Sequence, residues 1–288
     1  MNTYTCSIHE LTYDDADYPP SIERIFCPAC VAAASDAEWP LQRAYDAEWS
    51  LWNAWRGNSD VPERYRNRTL SNWTARGRAQ QAAQKAVAAY AGAILTHADT
   101  GAGLTLLGPP GVGKSHLCCG VIAAAYQAGV HARYAVWSDV VDRTKATFGT
   151  RDSEDRTLVD DLKRVPLLVL DELGVRQGTE WDQALLFGLI DSRYRRSMPT
   201  VVASNLTADA LNTIGERAAD RLRESNVTVS IPGESQRTAA ATNRELIDAP
   251  PALIEPEPPV VTFPVCVNGE LVQRPLYIKR QTERHRYL

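Results

Sequence analysis

The chain has 288 residues, 44% of them hydrophobic, with 31 Lys and Arg against 35 Asp and Glu for a formal net charge of -4. That length holds one large or two modest domains with a real core, and the near-balanced charge excludes a globally basic nucleic-acid-binding chain, so charge must be argued locally. Six cysteines in a sequence of cytoplasmic character point to metal or free thiols before disulfides.

The first residues, Met1-Asn-Thr-Tyr-Thr-Cys6, carry neither the basic nor the apolar region of a signal peptide. No apolar run approaches the length of a membrane span, and no repeat recurs at solenoid periods. Cys6-x2-His9 and Cys27-x2-Cys30 are two knuckle-spaced pairs separated by 17 residues. Two such pairs can complete a tetrahedral Cys3His set, with no position left open, so a bound Zn²⁺ would be structural. It would supply folding energy to a segment too poor in aliphatics to build its own core. The alternatives are a redox pair at Cys27-Pro-Ala-Cys30 or unconnected thiols. Residues 35–56 read as a helix, with Leu41, Tyr45, Trp49 and Trp52 on one stripe and Trp39, Leu51 and Trp55 broadening it. The stripe either packs on the neighbouring domains or docks a partner protein. Gly57-Asn58 ends it.

Residues 61–68, then Arg76, Arg78 and Lys85, interleave basic side chains with Tyr65 and Trp73. They could contact phosphates or bases, or form a solvated link beside a nucleotide. An Ala-rich helix is expected over 79–96, followed by a turn into a first strand over 104–107.

Gly108-Pro109-Pro110-Gly111-Val112-Gly113-Lys114-Ser115 fits G-x4-G-K-[ST] between that apolar strand and a helical run over 116–128. Glycines at 108, 111 and 113 allow the backbone to cradle a phosphate chain, and the helix N-terminus adds partial positive charge. Lys114 would reach the β- and γ-phosphates of ATP and Ser115 would ligate Mg²⁺. His116 follows directly within the motif, with no role that chemistry dictates. Cys118 and Cys119 fall on a buried helix face and read as small apolar residues.

A second strand is expected over 131–137, with Ser138 or Asp139 capping a helix to about 148, then a polar loop over 150–155. Pro166-Leu-Leu-Val-Leu-Asp-Glu172 is an apolar run ending in two acids, as a strand buried on both faces of a parallel sheet demands. Its C-terminal end is where such sheets bind ligands. Asp171 would hold Mg²⁺ and Glu172 would polarise the attacking water. A helix over 179–196 and a buried strand over 199–205 follow. Asn205 then lands on the same edge as Asp171, where it can bond the water or the γ-phosphate; the alternative is a cap for the next helix. Arg217 and Arg221 lie one turn apart on a helix, either as surface charge or as a finger completing a neighbour's site. Residues 226–231 close the sheet.

These motifs, in this order, resemble the DnaC/DnaI group of AAA+ ATPases, the replicative helicase loaders, including many phage versions. The resemblance also takes in Arg193-Tyr194, residues 215–222 and Gly233-Glu-Ser-Gln-Arg237, and covers roughly residues 4–240. It implies an AAA+ P-loop core with a five-stranded parallel sheet between helices, preceded by a zinc-bearing N-terminal part and without an α-helical lid. Lys114 and Ser115 match Walker A, Asp171 and Glu172 Walker B, Asn205 sensor 1, Arg221 the finger position and Arg237 an arginine near the γ-phosphate. The implied activity is ATP hydrolysis at sites shared between subunits. The implied task is loading a DnaB-type hexameric helicase, gripped by the N-terminal part, onto single-stranded DNA. The rivals are an IstB-like transposition ATPase and an adaptor that binds ATP without turnover.

The expected divisions are 1–58, zinc-binding and helical; 59–98, linker and helix; 99–242, the ATPase; and 243–288. In this last part residues 255–259 form a Pro-rich linker, and a hairpin over 263–276 turns at Asn268-Gly269 before a basic tail.

Overall fold

The computed structural model describes residues 2–16, 26–146, 154–174, 178–236, 253, 255–276 and 278. It divides into a smaller unit, residues 1–50 with 255–288, and a larger one, residues 51–254. The division falls inside a helix, α1 (Pro28–Asn58).

The smaller unit opens with a hairpin of β1 (Thr3–Thr5) and β2 (Thr12–Asp14), paired Thr3 to Asp14. Helix α1 starts at Pro28 rather than at residue 35, because Pro is preorganised for a first helical turn and Ala-rich sequence continues it. At the C-terminal end, β8 (Thr262–Val267) and β9 (Glu270–Pro275) form the expected hairpin. Asn268 and Gly269 turn it with φ of 51° and 83°, the left-handed pair that matches strand twist. This hairpin is not separate from the N-terminal segment. Phe26 bridges Val267, and the Cys27 N–H donates to the Cys266 carbonyl at 3.0 Å. Tyr13, Cys27, Cys30, Val265, Cys266 and Leu276 share one small core. Sequence distance hid this, since nothing local ties residue 27 to residue 266.

The larger unit is a doubly covered parallel sheet. It runs through α2 (Arg78–Gly92), α3 (Ile94–Thr100), β3 (Gly103–Leu107), α4 (Lys114–Gln127), β4 (Ala132–Val136) and α5 (Trp137–Ala146). Then follow α6 (Glu154–Arg164), β5 (Leu167–Leu173), α7 (Glu180–Tyr194), β6 (Thr200–Ser204), α8 (Glu216–Ser225) and β7 (Asn226–Ser230). The strand order is β4-β5-β6-β3-β7, all parallel. Strands β3 and β6 are buried at every residue, as a sheet covered on both faces requires. Leu107, Leu168, Leu170 and Val202 pack with α5, α6, α7 and α8 in one apolar cluster, while α4 lies on β4, β5 and β6 with α2 beside it.

Three local expectations change. The helix over 79–96 breaks at Ala93 into α2 and α3. Helix α5 begins at Trp137, so Ser138 and Asp139 sit in its first turn instead of capping it. Helix α6 occupies a stretch with no expected element; Leu158, Val159 and Leu162 form its buried edge. Thr179, by contrast, caps α7 with a full capping box through Asp182. Residues 249–251, which bear on the expected absence of a lid, and the basic tail beyond residue 278 lie outside the described residues. No helix among the described residues is long and apolar enough to cross a membrane.

Candidate functional site

Parallel pairing brings the ends of β3, β5 and β6 to one edge. Leu107 pairs Ser204, and the Gly108 N–H donates to the Ser204 carbonyl at 3.3 Å. The turn from β3 into α4 is closely packed. Gly113 has φ 97°, and a Cβ there would lie 2.2 Å from Trp73 Nε1; a Cβ on Gly108 would lie 2.3 Å from the Ile231 carbonyl oxygen. Only glycine fits either place. Val112 is fully buried beneath the loop, and Pro109 and Pro110 are exposed. The Gln236 N–H donates to the Gly111 carbonyl at 2.9 Å. Arg237, the next residue, lies outside the described residues.

Lys114, the first residue of α4, is buried. Its ammonium donates to the carbonyls of Gly108 (2.7 Å) and Pro109 (2.9 Å) and to Asn205 Oδ1 (2.6 Å). The structure therefore joins the loop lysine to the asparagine after β6. Ser115 follows, half-buried, in the first turn.

Asp171 and Glu172 occupy an irregularity. Between Leu170 and Leu173 the β5–β6 register shifts by one residue, and Glu172 takes φ 58°. Such a bulge re-aims side chains at a strand end. Asp171 is 2% exposed while Glu172 is open to solvent. The Glu172 N–H donates to Asp171 Oδ1 at 2.8 Å, and the Tyr134 hydroxyl donates to Asp171 Oδ2 at 2.6 Å.

The arginines on α8 are held away from this edge. Arg221 pairs Asp191 at 3.3 Å and Glu224 at 3.5 Å and lies over the Tyr194 ring, while Arg217 lies over the Phe187 ring.

Sequence reasoning missed how the segment before the sheet grips α4. His116 Nε2 lies 2.9 Å from the Thr69 carbonyl and 2.8 Å from Asn72 Oδ1. Trp73 is 3% exposed, so it packs on the loop rather than offering a stacking face to bases. A Cβ on Gly120 would meet Leu70 at 2.7 Å. The spacing of His116 and Gly120, one helical turn, was the available signal.

In the smaller unit the side-chain ligand atoms of Cys6, His9, Cys27 and Cys30 all lie within 4.8 Å of one another. Cys6 and His9 sit in the turn between β1 and β2, and Cys30 in the first turn of α1. Cys6 Sγ is 3.6 Å from His9 Nδ1 and 3.6 Å from Cys30 Sγ; Cys30 Sγ is 3.4 Å from His9 Nδ1. A tetrahedral centre with Zn–S of about 2.3 Å and Zn–N of about 2.0 Å spaces its ligand atoms by about 3.5–3.8 Å. The set fits one metal ion, and the same cluster includes His9 and Cys6, which a Cys27/Cys30 redox pair leaves without a task. N–H groups of His9 and Cys266 point at the Cys6 and Cys30 sulfurs, each at 3.4 Å. Burial would raise the Cys27 thiol, but the N–H groups of Cys30 and Ala29 together with the Cys6 and Cys30 thiols outweigh it and hold it below its ordinary value. Burial pushes Cys30 up to about 12.

The family model described as IstB-like ATP binding protein matches residues 65–243, more than half of the chain. The chain belongs to this family. The IstB-like region covers the whole sheet and the segment from Tyr65 onward that grips α4. The replicative helicase loader DnaC of Escherichia coli (strain K12) is 29% identical over 120 residues, 41% of this chain and 49% of the relative. The IstB-like chain thus spans about half the length of that curated relative. A crystal structure of the DnaC helicase loader matches with a TM-score of 0.54 at 26% identity, over 59% of this chain and 99% of the other. A crystal structure of DnaI matches with a TM-score of 0.51 at 19% identity, over 62% and 95%, a likeness of fold alone. The expected AAA+ P-loop architecture is thereby met.

Proposed function

We propose that this IstB-like protein is an ATP hydrolase that loads a DnaB-type hexameric helicase onto single-stranded DNA, working in the cytoplasm of a bacterium or of a phage's host. The observation that carries the nucleotide part is the bond from Lys114 to Asn205 at the mouth of the glycine loop. With a triphosphate bound, Lys114 exchanges its loop carbonyls for phosphate oxygens, and the backbone N–H groups of residues 111–115 hold the rest. Ser115 and Asp171 are the residues that would hold Mg²⁺, which neutralises charge on the phosphates. Glu172 orients the attacking water and takes its proton; Asn205 bonds the water or the γ-phosphate. Arg221 faces away from its own site, so its charge serves a neighbouring copy in an oligomer. Arg237, following Gln236 on the loop, serves the γ-phosphate. The Cys6, His9, Cys27 and Cys30 set holds a structural Zn²⁺ in the part that grips the helicase. The helicase step is supported by the identity with the DnaC helicase loader.

The test is ATP hydrolysis by the purified chain alone, with single-stranded DNA, and with a DnaB-type hexamer, alongside co-elution with that hexamer. Turnover that responds to DNA together with a stable helicase complex is expected. Turnover without helicase contact favours the second reading, an IstB-like transposition ATPase. Nucleotide binding without turnover would leave an ATP-switched adaptor.

A further inference from the structure

Strand β4 lies at the edge of the sheet and pairs β5 with Tyr134 opposite Val169 and Val136 opposite Asp171. Residues two apart on a strand share a face. Tyr134 therefore stands on the face that carries Asp171, one step below it, and its ring spans that step to place the hydroxyl 2.6 Å from Asp171 Oδ2. The strand is held on its free side too. The Tyr134 N–H donates to the Ser59 carbonyl at 2.7 Å, and Arg133 pairs Asp60. Tyr134 is 4% exposed, and a phenol, with an ordinary pKa of about 10, is a neutral donor at neutral pH.

Asp171 thus has one neutral donor on each oxygen: Tyr134 on Oδ2, the Glu172 N–H on Oδ1. Two donors on two oxygens fix the plane of the carboxylate. Both are neutral, so its charge remains uncompensated by them and available to a cation.

We propose that Tyr134 is a positioning residue for the metal-binding carboxylate: it orients Asp171 so that the remaining lone pairs meet Mg²⁺ arriving with the nucleotide. This rests on the reading of Asp171 as a magnesium ligand. The phenol acts through Asp171 and touches neither nucleotide nor metal.

The measurement is the affinity of the full chain for a fluorescent, non-hydrolysable ATP analogue, with Mg²⁺ and with EDTA. Binding in EDTA reports the glycine loop and Lys114; the tightening on adding Mg²⁺ reports the carboxylate. For Tyr134→Phe, affinity in EDTA stays at the wild-type value, and the Mg²⁺-dependent tightening falls by about tenfold, one hydrogen bond to a charged group. Asp171→Asn removes the tightening, and adding Tyr134→Phe to it changes nothing further. Tightening unchanged in Tyr134→Phe overturns the proposal. So does a further loss in the double variant, because Tyr134 would then act by another route. A wild type that binds the analogue but never responds to Mg²⁺ removes the reading of Asp171 instead, and one that never binds removes the nucleotide site. If the phenylalanine variant melts early, the same measurement is made below its melting temperature, where wild-type affinity in EDTA certifies the folded loop.

Discussion

Acid should loosen the nucleotide-binding unit through one imidazole. His116 is buried on α4, and burial pushes its pKa down to about 4; the bond to Thr69 opposes this shift and the charge of Arg68 adds to it. Nε2 faces two oxygens. Asn72 Oδ1 is an acceptor there, since the Thr69 N–H also donates to it at 2.9 Å and Asn72 Nδ2 donates to the Asn67 carbonyl at 2.7 Å. The ring is therefore the neutral tautomer with its proton on Nε2, shared between Thr69 and Asn72. Protonation would place a second charge beside Arg68 in a site that excludes water.

The sign follows from linkage. The folded pKa lies below the ordinary histidine value of about 6.5, so the unfolded chain takes the proton first. The contribution is fully present above about pH 6.5 and is lost as pH falls toward about 4. Between about pH 7.5 and about pH 4.5 the loss comes to ~2.5 kcal/mol. Other groups add their own pH dependence, so the informative quantity is a difference. Urea unfolding of wild type and His116→Gln is followed across that range. The two units can unfold in separate steps, so the transition tracked is the one that added nucleotide shifts. Wild type should lose about 2.5 kcal/mol of its advantage over the glutamine variant between the two ends. A constant difference at every pH would refute the burial argument.

Arg193 is fully buried and donates to the Leu162, Val165, Pro166 and Pro199 carbonyls and to Thr200 Oγ1, tying together the starts of β5 and β6. Arg193→Met should cost about 3–5 kcal/mol by orphaning these acceptors, read as a fall in the urea midpoint with nucleotide affinity retained in the fraction that stays folded. Arg221→Ala should keep nucleotide affinity and change the melting temperature little, because its ion pairs are partly open to solvent and individually weak, yet lose helicase-stimulated turnover; unchanged turnover removes the finger role. One zinc per chain is expected by elemental analysis. Stripping it with a chelator should increase amide exchange across β8 and β9, since the Cys266 N–H points at Cys30 Sγ, while nucleotide binding persists.

The glycine loop, the acids at the end of β5 and Asn205 were legible because each combines a fixed spacing with a strand that must end at one edge. Fold class followed from the same alternation of apolar strands and helices. What the sequence concealed depends on contacts between distant residues. Tyr134 looks like any aromatic in a strand, and only the pairing of Val136 with Asp171 gives its hydroxyl a target. Cys266 is one thiol far from the others, yet its backbone completes the Cys27 and Cys30 surroundings. Helix α6 was missed because its apolar edge is short and the residues before it are polar.

The same comparison explains why the arginine- and tryptophan-bearing segment before the sheet resisted reading. Interleaved basic and aromatic residues suit a nucleic-acid surface and a packed strap equally well, and composition cannot separate them. Burial does. Trp73 lies against Gly113, Leu70 against Gly120, and Thr69 and Asn72 on His116, so the segment lies along the first two turns of the helix that follows the glycine loop. A bulkier residue at Gly113 or Gly120 would push on the strap. The glycines of this motif therefore answer to two demands at once. Gly113 provides the positive φ that the loop needs and the space that Trp73 fills. Gly120, outside the motif and inside a helix where glycine costs about 1 kcal/mol against alanine, is explained by the strap alone.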